Sequence, residues 1–338
     1  MRRSTVLAGL CALSLASSSC QKDAPPPQPP ADTKSSSDTQ TDDGLPPLPE
    51  QFAKDLVRQQ KRADEIRARW TPELRAEVTA MTEKPWPSTE AALTTILASS
   101  HRAPGNAERD AWRHPQQTLQ FFGLEPNMRV FEYAQGAGWY TEILAPLLAH
   151  DGVLHLTGYD DSSGDAQLRY GARSVELFLT APGNLYDKVV PVLQAELSGG
   201  PKLGEPDSLD MVLVFRMKHN FHRYGMWDSF MPAAHAALKP GGVLAVVQHR
   251  AADDANPDDS APLGYLPEPW LVQTVTSYGF ELAARSDINA NPKDTKDYDK
   301  GVWSLPPTLQ HGEKDRARYV AIGESDRSTL KFVKVAKK

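Results

Sequence analysis

The chain has 338 residues, of which 40% are apolar and 24% charged, and 37 basic against 43 acidic side chains leave a net charge of −6. That length can bury a sizeable core, and the mild acidic balance argues against a nucleic-acid binder. Two cysteines, Cys11 and Cys20, are too few for a disulfide scaffold or a cysteine-rich zinc site, and 28 prolines point to linker sequence.

The first twenty residues read as an export signal. Arg2 and Arg3 precede an apolar run from Val6 to Ala16 that is too short to span a bilayer, and Ser17-Ser18-Ser19-Cys20 follows. A cysteine after small residues predicts a bacterial lipoprotein site with the lipid on Cys20, although Ser17 stands where leucine is usual. The expected location is therefore the cell envelope, periplasmic or on the outer membrane, with the lipid as the sole membrane contact. Residues 21–48 carry PPPQPP, SSSD and DTQTDDG with almost no apolar side chains, the composition of a disordered tether.

Residues 49–100 predict a helical extension. Phe52, Leu56, Ala63, Ile66 and Trp70 recur at helical spacing, Thr71-Pro72-Glu73 is a helix start, and Ser88 opens a helix through Ile96. From 101 to 338 strands and helices alternate. Strands are expected at 129–132, 153–157, 189–193, 210–215, 243–248, 280–285 and 329–333, with helices at 139–148, 165–179, 226–238 and 269–278. Lys239-Pro240-Gly241-Gly242 reads as a turn ahead of the fifth strand. Such alternation implies an α/β fold with a mostly parallel sheet covered by helices on both faces.

The chemical signals cluster at predicted strand ends. Gly136-Ala137-Gly138 follows the first strand, where glycines let a backbone approach a ligand; Thr141 stands at the third glycine position of a dinucleotide fingerprint. Phe215, Arg216, His219 and Asn220 follow the fourth strand and His249 ends the fifth, at the edge where open α/β sheets bind ligands. Ahead of the first strand, Arg102, Arg109, Asp110, Arg113 and His114 form either an anion-binding group or a solvated helix face. His219-x-x-His222 lacks further ligands for zinc, and Asp253, Asp254, Asp258 and Asp259 lack the spacing of a calcium loop. Asn289 to Asp326 is a long polar insertion of the kind that forms lids, in which Trp303 either stacks on a substrate or anchors the loop.

These pieces resemble class I S-adenosylmethionine-dependent methyltransferases, whose domain is a Rossmann-like seven-stranded sheet. The matching segments are FEYAQGAG at 131–138, Asp160 after the second strand, SLDMVLVF at 208–215 and ALKPGGVLAVV at 237–247. A closer resemblance is to a family of uncharacterised predicted methyltransferases, some with export signals. It rests on WRHPQQTLQFFGLEP at 112–126, GWYTEILAPLL at 138–148, FRMKHN at 215–220, INANPKDTKD at 288–297, VWSLPP at 302–307 and AIGESDRSTLKFVK at 321–334.

The resemblance implies S-adenosylmethionine as cofactor and an unidentified small molecule as methyl acceptor. It implies a cofactor site at Glu132, Ala134, Gly136, Gly138, Asp160, Phe215 and Arg216. Ala134 replaces the usual first glycine, and Asp160 stands two places beyond the usual ribose-binding acid, at Gly158, a gap that a strand bulge would close. Glu132 orients the glycine loop, reaches the cofactor's amino group, or caps the next helix. His219, with near-neutral pKa and Asn220 beside it, is the first base candidate and His249 the second; packing is the alternative role for each. Because the cofactor is made in the cytoplasm while the signal exports the chain, the competing expectation is an exported protein that uses this fold to bind a ligand without methyl transfer.

Overall fold

The computed structural model describes residues 45–194, 196 and 200–335. The export signal, Cys11, Cys20 and nearly all of the tether lie outside the described residues. No helix among the described residues is long and apolar enough to cross a membrane.

The N-terminal segment is helical as its caps predict. Helix α1 (Glu50–Ala68) leads to α2 (Pro72–Thr82), where the Thr71 hydroxyl accepts from the Leu74 amide, and to α3 (Thr89–Ala98), where Ser88 accepts from Ala91. Two short helices, α4 (Asp110–Arg113) and α5 (Pro115–Phe122), follow. His114 turns between them at φ 40°, and Pro115 suits the first helical position. A helix face at Arg109, Asp110 and Arg113 is one of the two sequence readings; one turn of DAWR carries no apolar period that would decide it.

Strands and helices then alternate: β1 (Arg129–Tyr133), α6 (Thr141–Leu148), β2 (Val153–Tyr159), α7 (Ala166–Thr180), β3 (Val190–Gln194) and β4 (Leu209–Phe215). Next come α8 (Lys218–Arg223), α9 (Trp227–Ala237), β5 (Leu238–His249), α10 (Pro257–Ser260), α11 (Glu268–Thr276), β6 (Phe280–Ser286), α12 (Arg316–Ile322) and β7 (Arg327–Lys334). The sheet order is β3-β2-β1-β4-β5-β7-β6, parallel except for β7, which runs antiparallel to both neighbours. The order reverses between β1 and β4, so a crevice opens at their carboxyl ends.

Two local expectations are corrected. The Lys239-Pro240-Gly241-Gly242 turn is drawn into β5: Leu238 pairs with Leu209 and Val243 with Met211, so the intervening residues bulge. Proline has no amide hydrogen for the ladder, and Gly241 at φ 78° supplies the reversal. The 289–326 insertion is not a bare loop, since it contains a 3-10 turn (Gly301–Ser304) and α12. Small clusters hold it, one of Tyr298, Leu305 and Tyr319, the other of Val302 against Tyr265 and Ala251.

The core forms on both faces of the sheet. On one face Val78, Leu93 and Ile96 from α2 and α3 join Ile143, Leu144 and Leu213. On the other, Phe221, Phe230 and Leu271 pack on Phe131, Val212 and Val246. Each such fully buried side chain contributes about 1.5–3 kcal/mol. The first two N-terminal helices also brace the β2–α7 unit of the sheet. Helix α1 lies on α7 with Phe52 stacked on Tyr170, and Trp70 packs so tightly on Gly183 that a Cβ there would come within 2.3 Å of its ring.

Candidate functional site

The chain leaves β1 through a left-handed turn. Ala134, Gly136 and Gly138 have φ of 55°, 62° and 81°. Alanine in this region is strained by roughly 1–2 kcal/mol, which glycine would avoid. Gly138 is needed for packing: a Cβ there would lie 2.8 Å from the Phe178 ring and 3.0 Å from the Tyr186 hydroxyl. The sequence assigned this glycine to the cofactor, whereas its bare Cα faces α7 and the loop after it.

A narrow cleft with a cavity volume of only about 10 Å³ opens between the ends of β1 and β4, lined by Glu132, Ala134, Gln135, Tyr140, Phe215 and Arg216 among others. It lies at the point where the strand order reverses. Glu132 is buried, and its Oε2 accepts from the Thr141 hydroxyl at 2.7 Å, so this acid pins the start of α6 as well as lining the pocket. Burial raises its carboxyl to about 8, with Thr141 and Arg216 pulling the other way. Arg216 also has positive φ, 59°, and its amide donates to the Val247 carbonyl across to β5. Among the described residues its guanidinium has no hydrogen-bond or ion-pair partner, and burial together with Arg113 pushes its pKa down.

The raised Glu132 pKa has a testable consequence. The folded chain keeps this proton between about 4.5 and 8, where the unfolded chain has lost it. Stability therefore falls as pH rises through that window, by at most about 1.4 kcal/mol per pH unit. In chemical denaturation at pH 5 and pH 8, Glu132→Gln should show a smaller loss across the window than the wild type and be the more stable of the two at pH 8. An equal loss in both proteins would remove Glu132 as the titrating group.

Asp160 follows β2, whose register with β3 runs unbroken from His155–Val190 to Tyr159–Gln194. The bulge that would bring the acid two places back is absent. Its Oδ1 accepts from the amide and hydroxyl of Ser162, which fixes the turn there and lowers its pKa.

The structure brings both histidine candidates together. The His219 ring at the start of α8 and the His249 ring at the end of β5 have centroids 5.8 Å apart, and Trp303 from the insertion meets His219 edge-on at 6.0 Å. Gln248 orients His219. Its Oε1 accepts from the Lys218 amide and its Nε2 donates to the Gly264 carbonyl, so the amide faces one way. That Nε2 lies 3.3 Å from His219 Nδ1, which must accept, leaving the ring proton on Nε2. Burial lowers His219 to about 4, so the neutral ring presents a donor rather than a free base. His249 Nδ1 lies 2.5 Å from the Ser325 hydroxyl; when Nδ1 donates to it, Nε2 is a lone-pair base. Burial, with His219 and Arg327 nearby, holds His249 well below its ordinary pKa. Both rings are thus held by fixed partners, His219 by Gln248 and His249 by Ser325.

Other candidates are placed elsewhere. Asn220 accepts from Arg223 within α8 and its amide approaches the Met217 sulfur, so no contact joins it to the histidine rings. His222 pairs with Asp258 at 2.6 Å and packs on Trp270, away from His219.

The arginines ahead of β1 are not a solvated face. Arg102 is buried and binds Asp110 through both terminal nitrogens and Glu142 through Nε. Arg109 and Arg113 reach across the fold to Glu324, each through Nε, and Arg327 reaches the same carboxylate at 2.9 Å. Arg327 pairs in register with His249, which joins this cluster to the histidines. Sequence reasoning missed Tyr140, Gln248, Glu324, Ser325 and Arg327. The last three sit within the 321–334 segment, but nothing local in that segment shows that it meets Arg109 and Arg113.

No protein-family model matches the chain, and no curated protein matches it. Among solved structures it is similar to an S-adenosylmethionine-dependent methyltransferase from Aquifex aeolicus, at 17% identity and TM-score 0.39, over 56% of this chain and 89% of that one. It is also similar to an O-methyltransferase family protein from Burkholderia thailandensis, at 16% identity and TM-score 0.38, over 74% of this chain and 69% of that one. A third is the cyclase SpnF, at 15% identity and TM-score 0.46, over 75% of this chain and all of that one. The chain's own sheet, ordered β3-β2-β1-β4-β5-β7-β6 with β7 reversed, is the seven-stranded, mostly parallel α/β sheet that the sequence predicts.

Proposed function

We propose that this chain transfers a methyl group from S-adenosylmethionine to a small-molecule acceptor at the carboxyl edge of β1, β4 and β5. The observation that supports this most directly is the pocket at the strand-order reversal, with an acid on one wall and an unpaired arginine on the other. The cofactor's methionine end carries an ammonium and a carboxylate. Glu132 is placed for the first once ionised, and Arg216 for the second through a charge-assisted pair. A bound ammonium lowers the Glu132 pKa and draws off the proton that burial retains. Asp160 keeps Oδ2 outside its own turn and has it for a ribose hydroxyl. The cofactor supplies a methyl on a sulfonium sulfur. The chain's task is alignment, with His249 Nε2 as proton acceptor, His219 Nε2–H as donor and Trp303 screening the two rings from water.

Calorimetric titration with S-adenosylhomocysteine tests this reading. Gly136→Val puts a branched side chain at φ 62° beside the pocket and should weaken binding at least tenfold, about 1.4 kcal/mol. Arg216→Met should do the same with the fold intact by circular dichroism. An absence of binding to the wild type would favour ligand binding without methyl transfer, as an envelope protein.

The site's setting is also a proposal. Export and lipidation at Cys20 predict that labelled palmitate enters the protein and is lost in Cys20→Ser. A mature chain starting elsewhere and carrying no label would refute the anchor.

A further inference from the structure

Three arginines converge on one carboxylate at the edge of the sheet. Arg109, Arg113 and Arg327 all bind Glu324, and Arg216 lies within electrostatic range of Arg113, Arg327 and Glu324. Four positive charges face a single negative one. Arg109 and Arg113 spend only Nε on Glu324, and their terminal nitrogens have no hydrogen-bond partner among the described residues. The Arg113 guanidinium lies 4.6 Å from the centre of the Trp139 ring, which holds it in place without neutralising it. Arg327 is 2% exposed, yet its Nε is buried with no partner. An unpaired buried donor costs about 1–3 kcal/mol. A helix-packing role for these residues would not call for three uncompensated charges and an orphaned donor beside a catalytic-type histidine pair.

Position gives the cluster its meaning. Arg327 opens β7 and pairs in register with His249, and Ser325, two residues before it, holds His249 Nδ1. Tyr140 and Arg216, which line the pocket between β1 and β4, lie within electrostatic range of the same group. The cluster therefore flanks both the pocket and the two histidines.

We propose that Arg109, Arg113 and Arg327 bind an oxyanion, a carboxylate or a phosphate, carried by the methyl acceptor, and so set its nucleophile beside His249, while Arg216 is left to the cofactor's carboxylate. This deepens the methyl-transfer reading and rests on it for the word acceptor. Arginine suits the role because its planar fork meets a carboxylate or phosphate with two parallel hydrogen bonds. Glu324 holds the cluster together, and an arriving anion completes its neutralisation.

Titrating the full chain with inorganic phosphate, with and without saturating S-adenosylhomocysteine, tests the proposal by calorimetry. Saturable, salt-sensitive binding that persists when S-adenosylhomocysteine is bound is the expected result. Arg109→Gln, at the most exposed of the three arginines on Glu324, should weaken it at least fivefold, about 1 kcal/mol. Phosphate should also raise the melting temperature of Glu324→Gln by more than that of the wild type, because that variant lacks the internal counter-charge. Full displacement of phosphate by S-adenosylhomocysteine would give the cluster to the cofactor's own carboxylate and overturn the proposal. Saturable binding of neither phosphate nor acetate would overturn it too, while S-adenosylhomocysteine binding in the same sample would leave the methyl-transfer reading standing. Phosphate binding without S-adenosylhomocysteine binding would keep the oxyanion site and remove methyl transfer. Acetate titrated in parallel separates a carboxylate from a phosphate acceptor.

Discussion

Replacing Glu324 by Ala should cost the folded chain about 3–5 kcal/mol, the range for removing one partner of a buried ion pair and leaving the other charges uncompensated. The reason is the company it keeps. Glu324 is 4% exposed, and Arg109, Arg113 and Arg327 all depend on it. Burial alone would raise its carboxyl, but Arg113, Arg327 and Arg109 outweigh that and hold it at about 2. Because the folded pKa is depressed, the contribution is present in full above the unfolded value near 4.5 and is lost as pH falls through 2. The wild type should therefore lose about 3 kcal/mol on acidification from this group, a loss that Glu324→Ala no longer shows. Urea denaturation at pH 7 and pH 3 measures the first number and about 2 kcal/mol of the second, because the folded carboxyl is still mostly ionised at pH 3. A destabilisation below about 1 kcal/mol at pH 7 would mean that the arginines are solvated and that the network is a surface feature.

That network also shows where the sequence is legible and where it is not. The sheet is legible because buried parallel strands are continuous apolar runs: six of the seven residues of β4 are buried, and Leu209-Asp210-Met211-Val212-Leu213-Val214-Phe215 reads so at sight. Strand β3 is weaker in sequence because it is the sheet's edge, with Val190 and Leu193 exposed. Helix α8 carries Lys218, His219, Asn220, His222 and Arg223 around one Phe221, so no apolar period announces it, and Lys218 is buried against Phe221, Trp227 and Phe230 regardless. His219, His249, Glu132 and Arg216 are legible as residues at the carboxyl ends of the strands, the edge where an open parallel sheet binds ligands. Glu324 is not. It stands 215 residues from Arg109 and meets it only because β7 returns antiparallel beside β5. The packing role of Gly138 is hidden for a related reason. A glycine that makes room for Phe178, 40 positions on, looks in sequence the same as one that makes room for a ligand.

Turnover should respond more to His249→Gln than to His219→Gln, and this is the kinetic effect expected to be largest. General-base assistance is worth about 10²–10⁴-fold, and methyl transfer that relies mostly on alignment sits at the lower end. We expect His249→Gln to lower kcat at least tenfold while leaving affinity for S-adenosylhomocysteine unchanged, since His249 does not line the pocket between β1 and β4. His219→Gln should cost less. The Gln248 amide already occupies His219 Nδ1, and a glutamine at 219 keeps a donor for the acceptor group. The pH profile distinguishes the two roles. Burial keeps both rings neutral at pH 7, with His219 lowered to about 4 and His249 well below its ordinary value. A base must be neutral to act, so the acidic limb of the profile should lie below the usual histidine pKa near 6.5. An oxyanion seated on Arg327 and Arg113 offsets the positive charges that help hold His249 down, so its pKa should be higher in the acceptor complex than in the free chain. The limb of kcat should accordingly lie at higher pH than that of kcat/KM, and His249→Gln should erase it from both. Full activity in His249→Gln, or a limb that survives it, would leave the reaction without a histidine base and reduce the protein's part to holding two molecules in line.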